Sequence, residues 1–262
     1  MKFINISLPT GLSSLQEGAF YDCVNLSSIT LPNNITTISN NLFYNCTNLV
    51  YVSGEGIKEI EDYAFSNCAK LKEPNFLSRV TKVGKYSFYN CSSLISRVEI
   101  GCASEIGESA FSDCVNVIEF TLTNNEVKIG RKAFNNCEKL ERIINLSCAS
   151  EIGSYAFNNC VKLSALQLGD KLKVLEEGVF YDCKSIIGIE LPRNIERVNS
   201  KAFYNCIGIE KVVIKNEQVV VFLESIDAFL GCSVDLEFQV NKGLLSIYQQ
   251  SNDWKLLNFI GV

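Results

Sequence analysis

Within residues 20–43, FYDCVNLSSITLPNNITTISNNLF, the spacing of apolar positions changes in a fixed order. Leu26, Ile29 and Leu31 form L-x-x-I-x-L, and Ile29-Thr30-Leu31 alternates with period two, as a short half-buried strand does. The Pro32-Asn33-Asn34 that follows is turn chemistry. Ile35 and Ile38 return the chain inward, and a short polar stretch delivers Phe43, predicted on a single helical or 3₁₀ turn. One strand plus one return segment cannot bury its apolar side alone. Stacked copies can, which predicts a solenoid with one continuous core.

The unit recurs ten times. Phenylalanines with cysteine three residues later stand at Phe20, Phe43, Phe65, Phe88, Phe111, Phe134, Phe157, Phe180, Phe203 and Phe229. The intervals are 23, 22, six of 23 and finally 26. The partners are Cys23, Cys46, Cys68, Cys91, Cys114, Cys137, Cys160, Cys183, Cys206 and Cys232, and AFNNC itself appears twice, at 133–137 and 156–160. With strands about 4.8 Å apart, ten or eleven coils give a curved slab roughly 50 Å long.

LSSITLPNNITTISNNLFYNC (26–46) and IIGIELPRNIERVNSKAFYNC (186–206) carry L-x-x-I-x-[IL]-P, then I-x-x-I, then A-F-x-x-C or its close variant. This pattern resembles the BspA-like branch of the leucine-rich repeat superfamily over residues 3 to about 240. The resemblance implies an α/β repeat solenoid, with a parallel sheet on the concave side and short helical or 3₁₀ turns on the convex side. Residues 1–240 are expected to form that single solenoid. Residues 241–262 form a closing cap, in which Leu244, Tyr248, Trp254, Leu257 and Phe259 fold over the last open coil.

Departures from the repeat carry expectations of their own. In VEIGCASEI (98–106) and INLSCASEI (144–152) the strand is read as shifted by one residue, with a shortened turn. Their spacing, 148 − 102 = 46, suggests duplication of a two-repeat block. Pro74 replaces an aliphatic in LKEPNF, so that strand should pair poorly. VVVFLESID (219–227) reads as an insertion in the last coil. FINISLP (3–9) is a strand already in mid-unit whose edge nothing caps, so further chain or a partner is expected at that edge.

Composition narrows the chemistry. The net charge of −5 supplies no basic footprint for nucleic acid or an anionic membrane. No window approaches the roughly 18–20 apolar residues of a membrane span, and residues 1–20 lack the charged-then-apolar pattern of a signal peptide. The chain has no histidine, which removes imidazole catalysis and His-ligated metals. No P-loop, G-x-G-x-x-G or G-x-S-x-G occurs, and the acidic pairs Glu61/Asp62 and Glu176/Glu177 precede the Phe turns without a convergent partner. No enzyme activity and no cofactor are implied.

Twelve cysteines raise disulfides, metal binding or packing as readings. Ten share one column about one coil apart, near 5 Å, within bridging range. In-register side chains point the same way, however, so buried free thiols are expected. Cys102 and Cys148 lie two coils apart, near 10 Å, too far to bridge. One thiol per coil makes a line, whereas zinc takes a tetrahedron. The residue before each cysteine is Asp22, Asn45, Asn67, Asn90, Asp113, Asn136, Asn159, Asp182, Asn205 or Gly231. A calcium ladder is one reading. Tolerance of left-handed backbone fits better, because glycine has no ligand side chain. Six N-x-[ST] sequons, at Asn5, Asn25, Asn34, Asn45, Asn90 and Asn145, are candidate glycan sites in a secreted setting.

Function then falls to the surface. Alternation along the strands predicts an outward strip at Ser28, Thr30, Tyr51, Ser53, Glu73, Asn75, Arg97, Glu99, Glu119, Thr121, Gln167, Glu190 and Lys211, with Ile143 and Asn145 also outward. Together with Tyr21, Tyr44, Tyr89, Tyr181 and Tyr204 on the turn, these are the candidate contacts for a protein ligand. The strip is polar and slightly acidic with one aromatic, which suits a broad contact of modest affinity. The family resemblance implies a surface-exposed adhesin contacting host or matrix proteins. The alternative is an intracellular scaffold using the same strip, in keeping with the missing leader and anchor and the thiol-rich core.

Overall fold

The computed structural model describes residues 4–262. Phe3, placed in the first strand by its sequence, lies outside the described residues. The chain is a curved, parallel-strand solenoid of about eleven turns. Most coils contribute a longer strand, a short return strand and a Phe turn.

The longer strands form three sheets in chain order. Ile4–Ser7, Leu26–Thr30 and Tyr51–Ser53 make the first; Arg97–Ile100, Glu119–Leu122 and Arg142–Ile144 the second. Gly188–Leu191, Lys211–Ile214, Glu237–Val240 and Asn258–Gly261 make the third. The first break has a local cause. Lys72–Asn75 forms no strand, as Pro74 leads one to expect, because proline withdraws a ladder donor. At the second break only Ala165 bridges back, to Arg142.

The return segments pair as well, which the sequence pattern did not reveal. Thr37–Ile38, Glu59–Ile60, Lys82–Val83, Glu105–Ile106, Val127–Ile129 and Ala149–Ile152 form a six-stranded sheet. Val174–Leu175, Arg197–Val198 and Phe222–Leu223, the last inside the 219–227 insertion, form a further three-stranded sheet. Each two-residue strand buries one residue of its pair, as at Ile38, Ile60, Val83 and Ile106, and the two longer ones bury both ends.

The Phe turn corrects an expectation. In the first nine copies it is neither α nor 3₁₀ helix but a run of hydrogen-bonded turns, and only the last, Ile226–Phe229, is 3₁₀. Two left-handed residues interrupt any helix in each of the first nine turns. In the second copy they are Asn41 (φ 55°) and Asn45 (φ 57°), two residues either side of Phe43. The result is an alternation of partners. The amides of Asn41, Phe43 and Asn45 donate to Asp62, Ala64 and Ser66 of the next coil, at 2.8–3.0 Å. Those of Leu42, Tyr44 and Cys46 donate within the turn, to Ser39, Asn41 and Phe43. The turn is thus a third ladder between coils.

The core lies between these faces. All ten Phe rings stack in one column, with centroids 5.1–5.7 Å apart between successive copies. At the C-terminal end lie a short helix, Leu245–Gln250, and the buried side chains of Tyr248, Trp254 and Phe259. Trp254 Nε1 donates to the Val221 carbonyl (2.7 Å), and the Val221 amide donates to the Tyr248 hydroxyl (3.1 Å). Asn258–Gly261 then adds a strand beside Glu237–Val240. No helix among the described residues is long and apolar enough to cross a membrane.

Candidate protein-binding face

The thiol column has a role in the turn beyond filling space. From Cys46 onward, each Sγ donates to the carbonyl of the Phe one coil earlier: Cys46 to Phe20, Cys137 to Phe111, Cys206 to Phe180, at 3.0–3.2 Å. The same Phe carbonyl accepts the cysteine amide of its own coil, as Phe43 accepts from Cys46 at 3.1 Å. One carbonyl therefore joins two coils. Burial pushes the Cys46 and Cys232 thiols up to about 12, and it likewise holds those of Cys68, Cys114, Cys137 and Cys183 well above their ordinary range. All twelve cysteines are free, and the buried thiols of the column, such as Cys68 and Cys137, stay protonated and unreactive at neutral pH.

The residue before each cysteine is left-handed in every copy, from Asp22 (φ 55°) to Gly231 (φ 81°). Its side chain is used as well. Asn45 donates to Asp22 (2.7 Å), Asn90 to Asn67 (3.0 Å), Asn136 to Asp113 (2.9 Å) and Asn159 to Asn136 (3.1 Å), each across one coil. The sequon residues Asn45 and Asn90 are thus tied into this ladder, and Asn145 donates to the Leu122 carbonyl. The tyrosines of the turn are likewise engaged: Tyr21 stacks on Tyr44 at 4.8 Å, Tyr181 on Tyr204 at 4.7 Å, and Tyr89 packs against Tyr86.

The strand face is where copies differ. Register sets Ser28 beside Tyr51 and Thr30 beside Ser53 in the first sheet. It sets Arg97 beside Glu119 and Glu99 beside Thr121 in the second, and Lys211 beside Gly188 in the third, where Glu190 adjoins Val213. Glu73 and Asn75 lie at the first break and Gln167 at the second, all exposed but outside any strand. Tyr51 is 53% exposed and is the aromatic of this face.

Two expectations need correction. Ile143 is buried, and Asn145, although exposed as expected, is no strand residue but a left-handed one opening a 3₁₀ turn, Leu146–Cys148. The residues facing outward are Arg142 and Ile144, because this strand is not shifted: Arg142 pairs with Glu119 and Ile144 with Thr121. Counting eight residues on from Phe134, as Tyr51 follows Phe43, finds Arg142. Comparison with the CASEI stretch at 102–106 conceals it. Glu119, in turn, is 8% exposed. It accepts from Arg142 Nε and has Arg97 Nε at 4.0 Å on its other side, so it is a buttress of the face. Glu190 is paired too, with Lys215.

These features meet their counterparts in known proteins. The BspA type leucine rich repeat region matches residues 1–101 and 104–235, in six copies. Among solved structures, a leucine-rich repeat protein from Bacteroides ovatus superposes with a TM-score of 0.82 at 24% identity. The match covers 98% of this chain and 66% of that one, so the chain spans just under two thirds of that protein. The T. pallidum leucine-rich repeat protein is 28% identical with a TM-score of 0.55, over 62% of this chain and 79% of its own. No curated protein matches the chain. The ten-fold Phe/Cys repeat, its stacked coils and the match over most of the length together mean that this chain belongs to the BspA-type leucine-rich repeat family.

Proposed function

We propose that this chain is the recognition module of a surface adhesin, contacting host or matrix proteins through its strand face. In this reading residues 1–240 are the recognition solenoid and residues 241–262 its closing cap. The leucine-rich repeat fold is in general a non-enzymatic, protein-binding repeat fold. The observation that carries the reading is the contrast between faces. Turn residues are committed to thiol, amide and ring ladders that tie coil to coil, whereas Tyr51, Glu73, Asn75, Glu99, Gln167 and Lys211 are exposed and differ from copy to copy. A broad face of this kind gains affinity from many modest contacts. The test is surface labelling of intact source cells, together with adhesion after deletion. The adhesin reading expects labelled protein and lost adhesion. Unlabelled protein and unchanged adhesion would instead favour a scaffold inside the cell.

A further inference from the structure

The first break in the strand face opens a cleft. Where Lys72–Asn75 fails to form a strand, a cavity of about 200 Å³ lies between the neighbouring coils. Buried Pro74, Leu77, Leu94 and Val98 supply its apolar lining. A second cleft of about 290 Å³ adjoins it, and the two share Asn75.

The charges around these clefts are unbalanced. Glu55, Glu73 and Glu99 are exposed, and none has an ion-pair partner among the described residues. The basic groups present are Lys72 and Arg97, and the Arg97 Nε lies toward Glu119, 4.0 Å away. Three unpaired carboxylates thus stand around the clefts against two basic groups, Lys72 and Arg97, leaving a net negative charge over an apolar lining. Long basic side chains suit such a site, since they lay an apolar stem on apolar surface and keep the charged head at the wet rim.

We propose that these joined clefts anchor an extended segment of a protein ligand through its lysine or arginine side chains. This deepens the strand-face reading and rests on it. The missing strand is what makes the site. An aliphatic at position 74 would let the segment pair with its neighbours and close the space, whereas proline keeps it open. Complementary charge of this kind also sets orientation and on-rate.

Three pentapeptides with blocked ends, Gly-Ala-X-Ala-Gly with X arginine, norleucine or glutamate, test this by amide chemical shifts in the intact chain. The proposal expects the arginine peptide to move Leu77, Ser78, Val98 and Glu99, to weaken with added salt, and to bind tighter than the other two by about tenfold or more. The Glu73→Gln/Glu99→Gln variant, which keeps shape and removes charge, should lose that preference. Pro74→Val should lose the binding while raising the melting temperature. Equal shifts from all three peptides would overturn the cleft proposal while leaving the wider strand-face reading standing. No shift at the cleft with any peptide would overturn it too, and the wider reading would then be judged by protein ligands alone. An arginine preference that survives Glu73→Gln/Glu99→Gln would overturn the role given to the carboxylates.

Discussion

At the residue scale, the Phe/Cys pair is a joint between coils. Its recurrence was plain in the sequence, and so was its burial. Its hydrogen bond was not, because a thiol column reads the same whether the sulfur only fills space or also donates. The structure decides this through the Phe carbonyl, which accepts the thiol of the following coil. A prediction separates the two roles. If Cys137 were only apolar fill, alanine would be the milder replacement. With Sγ donating to Phe111, Cys137→Ser keeps a donor near that carbonyl, while Cys137→Ala leaves a small cavity and costs about 1–2 kcal/mol. Urea midpoints should therefore rank Ser above Ala. The left-handed residue before each cysteine was legible because Asn, Asp and Gly share that backbone preference. Its twin two residues before Phe was not, since Tyr63, Ser109 and Lys132 fill it without any common signature.

At the element scale, the strands were legible from their period and the return sheet was not, because two-residue strands show no alternation. The helical turn was misread for a related reason. A short polar stretch before Phe looks helical until the two left-handed positions are known. Glycine carries a further signal: Gly84, Gly107, Gly130 and Gly153 stand four residues before Phe in four successive copies. A Cβ on Gly107 would lie 2.6 Å from the backbone of Gly84, so the coils there approach too closely for a side chain. The thiol column carries its own pH dependence. Folding raises these groups from an ordinary 9.0, to about 12 at Cys46 and Cys232. Stability from the column is therefore complete below about pH 9 and is lost as the pH rises from there through about 12, where the unfolded chain releases protons first. Urea midpoints should hold up to pH 8.5 and fall steeply by pH 10.5. A flat profile would mean the thiols are not buried as described.

At the scale of the whole molecule, a repeat solenoid is as stable as its stacking and its ends allow. The aromatic spacing of the tail suggests a closing segment, whereas the reach of Trp254 back to Val221 has no sequence signal, since that contact crosses 33 residues. Trp254→Ala should cost about 3–5 kcal/mol and speed hydrogen exchange first at Phe238 and Val240. Trp254→Phe should cost less, by leaving only the Val221 carbonyl unpartnered. Which residues the strand face offers was legible wherever the strands kept their register. It failed at Arg142 and Glu119, one through a misaligned copy and the other through ion pairs that no pattern of letters displays.

The division of labour between the two faces is the central claim, and ligand capture from native source material by matched variants tests it most directly. One variant changes the strand face at Tyr51→Ala, Glu99→Lys and Lys211→Glu, leaving the Glu119 buttress intact. The other changes the turn face at Tyr21→Ala and Tyr204→Ala. The account predicts that the first loses the ligand held by the unaltered chain while the second retains it. Retention by the strand-face variant, with loss by the turn-face variant, would contradict it.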